Sequence, residues 1–254
     1  MSLERVIYEA REGVAHIVLN RPEKRNALDP QLILETTASV LHADSDADTR
    51  VIMIAGAGKD FCSGADLASV AAVAERGVIA NIDDARGLAQ LFLAIRRASK
   101  PVVALVKGRA LAGGCGLATA CDIVLASETA KFGYPEVNIG FVPAMVMAIL
   151  RRAVSERAAF ELVVGGETIT ALRGREVGLV HHVYREESFD EAAAEYVAEL
   201  AKKPAAAVAL TKRLLYRTDA MTFEAAIEAG VDMNAIARMT DDFKQGVAKF
   251  LKKD

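Results

Sequence analysis

The chain has 254 residues, 52% hydrophobic and 26% charged, enough for one large domain, or a domain with an appendage, around a sizeable core. Its 34 acidic and 31 basic side chains leave a net charge of −3, and no Lys/Arg block interleaves with aromatics, which excludes a nucleic-acid surface. The longest strongly apolar run, Phe141 to Leu150, is too short to span a bilayer and the N-terminus lacks a charged-then-apolar leader, so we expect a soluble cytoplasmic protein without a membrane partner.

Val6 to Glu9 and Val14 to Leu19 are strand-like runs around Arg11-Glu12-Gly13, predicting an opening hairpin with His16 as a strand residue. Asp29 followed by Pro30 supplies a side-chain acceptor at a helix cap and a pre-set φ at the first position, predicting a helix over Gln31 to His42. Val51 to Ala55 reads as a buried strand, followed by a glycine-spaced loop from Gly56 to Gly64 and a helical segment, Ala65 to Ala74, with Asp66 as its cap. Glu75 to Ala85 has little periodicity and contains Gly77, which predicts a mobile surface loop before a helix over Ala85 to Ser99.

Val102 to Val106 is a continuous aliphatic run that fits a strand buried on both faces. Gly108 breaks it, and Gly113, Gly114 and Gly116 with the small residues through Ala120 predict a short, tightly packed helix. Asp122 to Ser127 is another short strand, and Pro135 then presents Glu136. Phe141 to Arg152 reads as an apolar helix opened near Pro143, and Ser155 caps Glu156 to Val164 before Gly165-Gly166 ends it. Thr170 to Val177 stops at Gly178, ahead of a strand over Leu179 to Val183. From Ser188 the pattern is helical: Ser188 to Glu191 forms a capping box, and Pro204, Thr222 and Asp241 open further helices. Periodicity by itself supports α/β followed by helices.

Three cysteines, Cys62, Cys115 and Cys121, without a C-x-x-C pair indicate neither a disulfide framework nor a zinc site, and each reads as a small buried hydrophobe. The adjacent His181 and His182 face opposite ways on a strand, so no metal site is expected. Gly56-x-Gly58 lacks the third glycine of a dinucleotide fingerprint, Gly58-Lys59-Asp60 lacks the Ser/Thr of a P-loop, and no G-x-S-x-G elbow surrounds Ser63. What does stand out is two strand–glycine loop–helix units. Glycine lets backbone approach a ligand and a helix start leaves N–H groups unpaired, so each unit can aim a donor at one oxygen.

Phe61-Cys62-Ser63-Gly64-Ala65-Asp66-Leu67, Ala110 to Ala118 with Cys121-Asp122-Ile123, Phe132-Gly133-Tyr134-Pro135-Glu136 and the N-terminal Arg21-Pro22-Glu23-Lys24-Arg25-Asn26-Ala27-Leu28 resemble the crotonase superfamily, the enoyl-CoA hydratase/isomerase enzymes. The resemblance implies an α/β crotonase (ClpP/crotonase-like) fold, a spiral of repeated ββα units over residues 1–190, then a C-terminal helical region, 191–254, that serves trimers or dimers of trimers. It implies an acyl-CoA thioester substrate and no cofactor beyond its coenzyme A. By motif position the backbone N–H groups of Ser63 and Gly113 would hold an enolate oxygen, and Glu136 would act as general acid and base. Lys24, Arg25, Ala27, Ala65, Asp66, Leu67 and Gly114 would contact substrate or CoA. Lys249, Phe250 and Lys252 resemble a tail that reaches a neighbour's CoA, although the sequence ends early, at Asp254.

Family members that hydrate enoyl-CoA generally carry a second glutamate where this chain has Gly116. Hydration of 2-enoyl-CoA is the expectation from family frequency; Δ3,Δ2-enoyl-CoA isomerisation is the alternative that a single carboxylate favours chemically; a non-catalytic acyl-CoA-binding subunit is a third reading, from a different class.

Overall fold

The computed structural model describes residues 3–252; Met1, Ser2 and the terminal Lys253-Asp254 of the expected tail lie outside them. Its strands are β1 (Val6–Arg11), β2 (Val14–Leu19), β3 (Val51–Gly56), β4 (Val102–Val106), β5 (Arg109–Leu111), β6 (Ile123–Ser127), β7 (Lys131–Gly133), β8 (Thr168–Thr170) and β9 (His182–Tyr184). The larger sheet runs β1-β2-β3-β4-β6-β9 and the smaller β5-β7-β8. β1 and β2 pair antiparallel across Glu12 and Gly13, whose positive φ values suit the right-handed twist of a two-residue hairpin. The other pairings of the large sheet are parallel.

Each turn of the chain places one strand in the large sheet and a shorter one in the small sheet, β4 then β5, β6 then β7; after β3, Cys62 bridges Ala110 of β5 in the same way. This is the expected spiral of ββα units, and it stacks the loops that follow the strands side by side.

The helices are α1 (Pro30–Ser45), α2 (Leu67–Ala74), α3 (Val78–Arg97), α4 (Gly113–Ala120), α5 (Ala144–Ala153), α6 (Glu156–Gly165), α7 (Ala171–Val177), α8 (Phe189–Ala201), α9 (Ala205–Arg217), α10 (Phe223–Met239) and α11 (Asp241–Leu251). Asp29 caps α1 by accepting from the Leu32 N–H at 2.8 Å, and Ser155 and Thr170 cap α6 and α7. Three expectations need correction. The surface loop over Glu75 to Ala85 is helical from Val78; Gly77 interrupts the chain, and Asn81 Nδ2 donates to the carbonyls of Gly77, Val73 and Ala74, satisfying the ends. Val78 and Ile79 are exposed there, which is why no amphipathic period shows in the sequence. Ser188 makes no side-chain cap; the short 3₁₀ turn Glu186–Ser188 feeds α8 instead. The strand expected over Leu179 to Val183 begins only at His182, while Leu179 and Val180 enter the core ahead of it.

One core cluster lies between the large sheet and α1, α3 and α4; a second, on the opposite face, packs Phe189, Ala193 and Val197 of α8 on Val51, Met53, Val103 and Leu125. Core packing thus runs past the expected boundary at 190. Lys212 of α9 ties the helical region to the core: its Nζ donates to Asp122 Oδ2 at 2.7 Å and to the carbonyls of Ile95 and Lys100. Asp122 also accepts from the Val102 N–H at 2.6 Å and from the Tyr216 hydroxyl. Among the described residues no helix is long and apolar enough to cross a membrane.

Candidate active site

Two loops are fastened to each other before either can face a ligand. Cys62 N–H donates to Arg109 C=O and Leu111 N–H to Cys62 C=O, both at 3.0 Å. Asp60 and Arg109 add a two-pronged pair, Nε to Oδ1 and Nη2 to Oδ2, each 2.8 Å, and the guanidinium holds the Asp60 carboxyl below its usual range. At Gly114 a Cβ would stand 2.3 Å from the Cys62 carbonyl oxygen, so only glycine lets α4 sit this close. Gly64, at φ +96°, turns the first loop where a Cβ would meet Ala112 Cβ at 2.8 Å.

The N-terminal motif locks onto the same assembly. Asn26, buried, accepts from the Arg21 N–H and donates to the carbonyls of Ala57 and Asp60. Arg21, also buried, reaches Ala27 C=O at 2.6 Å, Asp29 at 3.2 Å and Asp66 at 3.1 Å. Neither residue was among the expected site residues; Arg21 and Asn26 stand in the quoted motif, and their long-range partners are what a sequence hides.

The loops frame a cavity of about 580 Å³ lined by Lys24, Ala27, Ser63, Ala65, Asp66, Leu67, Gly113 and Glu136, closed on its apolar side by Leu88 and the segment Ile139 to Val146. Most of the expected residues therefore meet at one cavity. Arg25 and Gly114 do not line it: Arg25 takes a left-handed turn with its carbonyl facing Ser63, and Gly114 is buried against Cys62.

Ser63 requires a correction. Its N–H donates to Arg25 C=O at 3.0 Å, so it is already spent. Two residues on, Leu28 N–H donates to Gly64 C=O and Asp66 N–H to Leu28 C=O, a parallel bridge that turns the intervening Ala65 N–H the other way. Among the described residues that N–H has no acceptor, and it lies 3.9 Å from the Cβ position of Gly113. Gly113 N–H is likewise unpaired, as the first residue of α4, and Ala112 before it is held at φ +50°. Two unpaired backbone donors thus stand close together on the cavity wall, at Ala65 and Gly113.

Glu136 sits in the 3₁₀ turn Pro135–Ile139 and is 8% exposed. Its Oε2 has no hydrogen-bond partner among the described residues, and burial raises its carboxyl above the ordinary value of 4.5, against a weaker pull from its own N–H. The other carboxylate on the wall, Asp66, is engaged by Arg21 and caps α2. Burial pushes the Cys115 thiol up to about 11 and Cys62 up to about 12, so both stay protonated and serve as packing. His181 Nδ1 accepts from the Val124 N–H while His182 lies against Tyr184 and Tyr196; among the described residues no three His, Cys, Asp or Glu groups cluster as metal ligands.

A pair of preorganised N–H donors beside a lone, raised carboxylate in an apolar cavity is suited to moving a proton next to a carbonyl. The sequence profile of the enoyl-CoA hydratase/isomerase family matches residues 9–254. The chain is 39% identical over 240 residues to a Thermus thermophilus protein carrying an enoyl-CoA hydratase name, covering 94% of this chain and 95% of that one. It is 31% identical over 252 residues to the 2,3-dehydroadipyl-CoA hydratase of Escherichia coli, covering 99% and 97%. The crystal structure of an enoyl-CoA hydratase from Mycobacterium smegmatis superposes with a TM-score of 0.94 at 31% identity, over 98% of this chain and 97% of that chain. The protein belongs to the enoyl-CoA hydratase/isomerase family.

Proposed function

We propose that the protein shifts the double bond of an enoyl-CoA thioester, with Glu136 as the only proton-handling group and the N–H groups of Ala65 and Gly113 as the oxyanion donors. The observation that carries the reading is Glu136 Oε2, unpartnered among the described residues, on a cavity whose other described carboxylate, Asp66, is engaged by Arg21. Glu136 takes a proton from the carbon between the thioester carbonyl and the double bond of a 3-enoyl-CoA. The electron pair moves into a dienolate whose oxygen the two N–H groups hold, and Glu136 returns the proton to the far carbon, giving the conjugated 2-enoyl-CoA. No atom is gained or lost and no cofactor beyond the coenzyme A of the substrate is needed. Desolvation strengthens Glu136 as a base for this step. Lys24, at the cavity, is placed in this reading against a CoA phosphate, with Ala27, Ala65, Asp66 and Leu67 beside it.

Hydration of 2-enoyl-CoA is the second reading, favoured by the names that the similar proteins carry. Assaying a 3-enoyl-CoA and crotonyl-CoA separately distinguishes the two, and Glu136→Gln removes either activity; CoA binding with no activity toward either thioester supports a binding subunit instead. For assembly we propose a trimer or a dimer of trimers, supported by the exposed Phe223, Val231, Met239 and Phe250 on α10 and α11, which sedimentation would test.

A further inference from the structure

Gly116 lies one turn into α4 from the Gly113 donor, on the same helix face, and is buried. A Cβ built on it would stand 2.2 Å from Val146 Cγ1 and 3.2 Å from Phe92 Cζ, inside carbon–carbon contact. Gly116 does not reach the cavity; Val146, from α5, does, and is itself 4% exposed. The valine side chain therefore occupies the place through which any residue at 116 would meet a substrate.

This position bears on water. A water held for attack on carbon needs two or more polar partners. Leu88, Val142, Ala144 and Met145, which share the cavity's lining with Val146, are all apolar. The polar side chains on the cavity other than Glu136 are Lys24, Ser63, Asp66 and Asn138. Lys24, Ser63 and Asp66 belong to the N-terminal motif and the first glycine loop, and Asn138 donates to Gly166 C=O at 3.0 Å.

We propose that Val146 is a reaction-specificity residue: seated in the gap that Gly116 leaves, it keeps out of the site the water that hydration would need, so that Glu136 returns its proton to carbon. The proposal rests on the reading of Glu136 as the base of double-bond migration.

Two measurements separate it from that reading. Thermal unfolding of Gly116→Ala, Val146→Ala and the pair tests the seal without any activity: Gly116→Ala lowers the melting temperature and Val146→Ala in the same chain recovers the loss, whereas additive effects overturn the contact. The ratio of 3-hydroxyacyl-CoA formation to double-bond migration tests the consequence. In Gly116→Glu with Val146→Gly that ratio rises about 10²-fold, and Gly116→Glu alone gains nothing. If the pair does not fold, Val146→Ser, which leaves Gly116 intact and offers a hydroxyl to a water, must move the ratio in the same direction. A folded variant with an unchanged ratio overturns the specificity role, as does a wild-type enzyme that hydrates crotonyl-CoA rapidly. A wild type inert toward the 3-enoyl thioester sinks the underlying reading and with it the specificity role, while the thermal cycle still decides whether Val146 fills the gap.

Discussion

The Ser63 N–H donates to the carbonyl of Arg25 at 3.0 Å, and this one bond decides which residue of the first glycine loop can face a substrate. With Ser63 spent, Ala65 and Gly113 carry the oxyanion role in our account. Exchange of the backbone amide for an ester, with lactic acid at position 65, should lower kcat by about 10²–10³ without changing the side chain. The same exchange at position 63 should cost stability and leave kcat within a few-fold. Single-turnover rates and thermal melts of the two esters check this.

Glu136 should reveal itself in opposite ways in activity and in stability. As a base whose pKa burial raises, it should give an acid limb in kcat/KM centred above 4.5, and Glu136→Gln should lower kcat by about 10²–10⁴. For stability the folded state binds its proton more tightly than the unfolded state. The contribution favourable to folding is therefore present below pH 4.5 and is lost as pH rises through the folded pKa. Glu136→Gln should accordingly melt above the wild type at neutral pH, with the gap closing on acidification below the ordinary carboxylate value.

The Lys212–Asp122 pair joins α9 to the core with both side chains largely buried, 8% and 13% exposed. Lys212→Met strands the carboxylate and should cost about 3–5 kcal/mol, while Lys212→Met with Asp122→Asn should recover a large part of it. Denaturant unfolding of these two variants and of Asp122→Asn alone measures the coupling.

Two glycines in helices should respond in opposite directions to alanine. Gly114→Ala drives a Cβ into the Cys62 carbonyl at 2.3 Å and should destabilise by at least about 1–3 kcal/mol, pulling Gly113 away from the cavity. Gly246→Ala meets nothing within 4 Å on exposed α11 and should stabilise by about 0.5–1 kcal/mol. Thermal melts of the two variants report both signs.

The strands of the large sheet and most helices were legible because their causes are local: β-branched runs at β3, β4 and β6, Asp29 with Pro30 at α1, and Ser155 and Thr170 at their caps, whereas β5, β7 and β8 of the small sheet, three residues each, are too short to show a pattern. Gly113 and Glu136 were picked out by their places in motifs that resemble the family's, and both line the cavity. The free donor was not, since whether Ser63 or Ala65 keeps its N–H depends on Arg25 and Leu28, far away in the sequence. The helix from Val78 was hidden because its first turn is solvent-exposed and carries no amphipathic stripe, and Val146 against Gly116 is a packing relation with no sequence signature.

The most direct test is to give the enzyme a 3-enoyl-CoA and crotonyl-CoA in separate reactions and follow the absorbance of the conjugated thioester. Our account predicts a gain of signal from the first and little loss from the second. Rapid conversion of crotonyl-CoA to 3-hydroxyacyl-CoA, with the 3-enoyl substrate untouched, would contradict it.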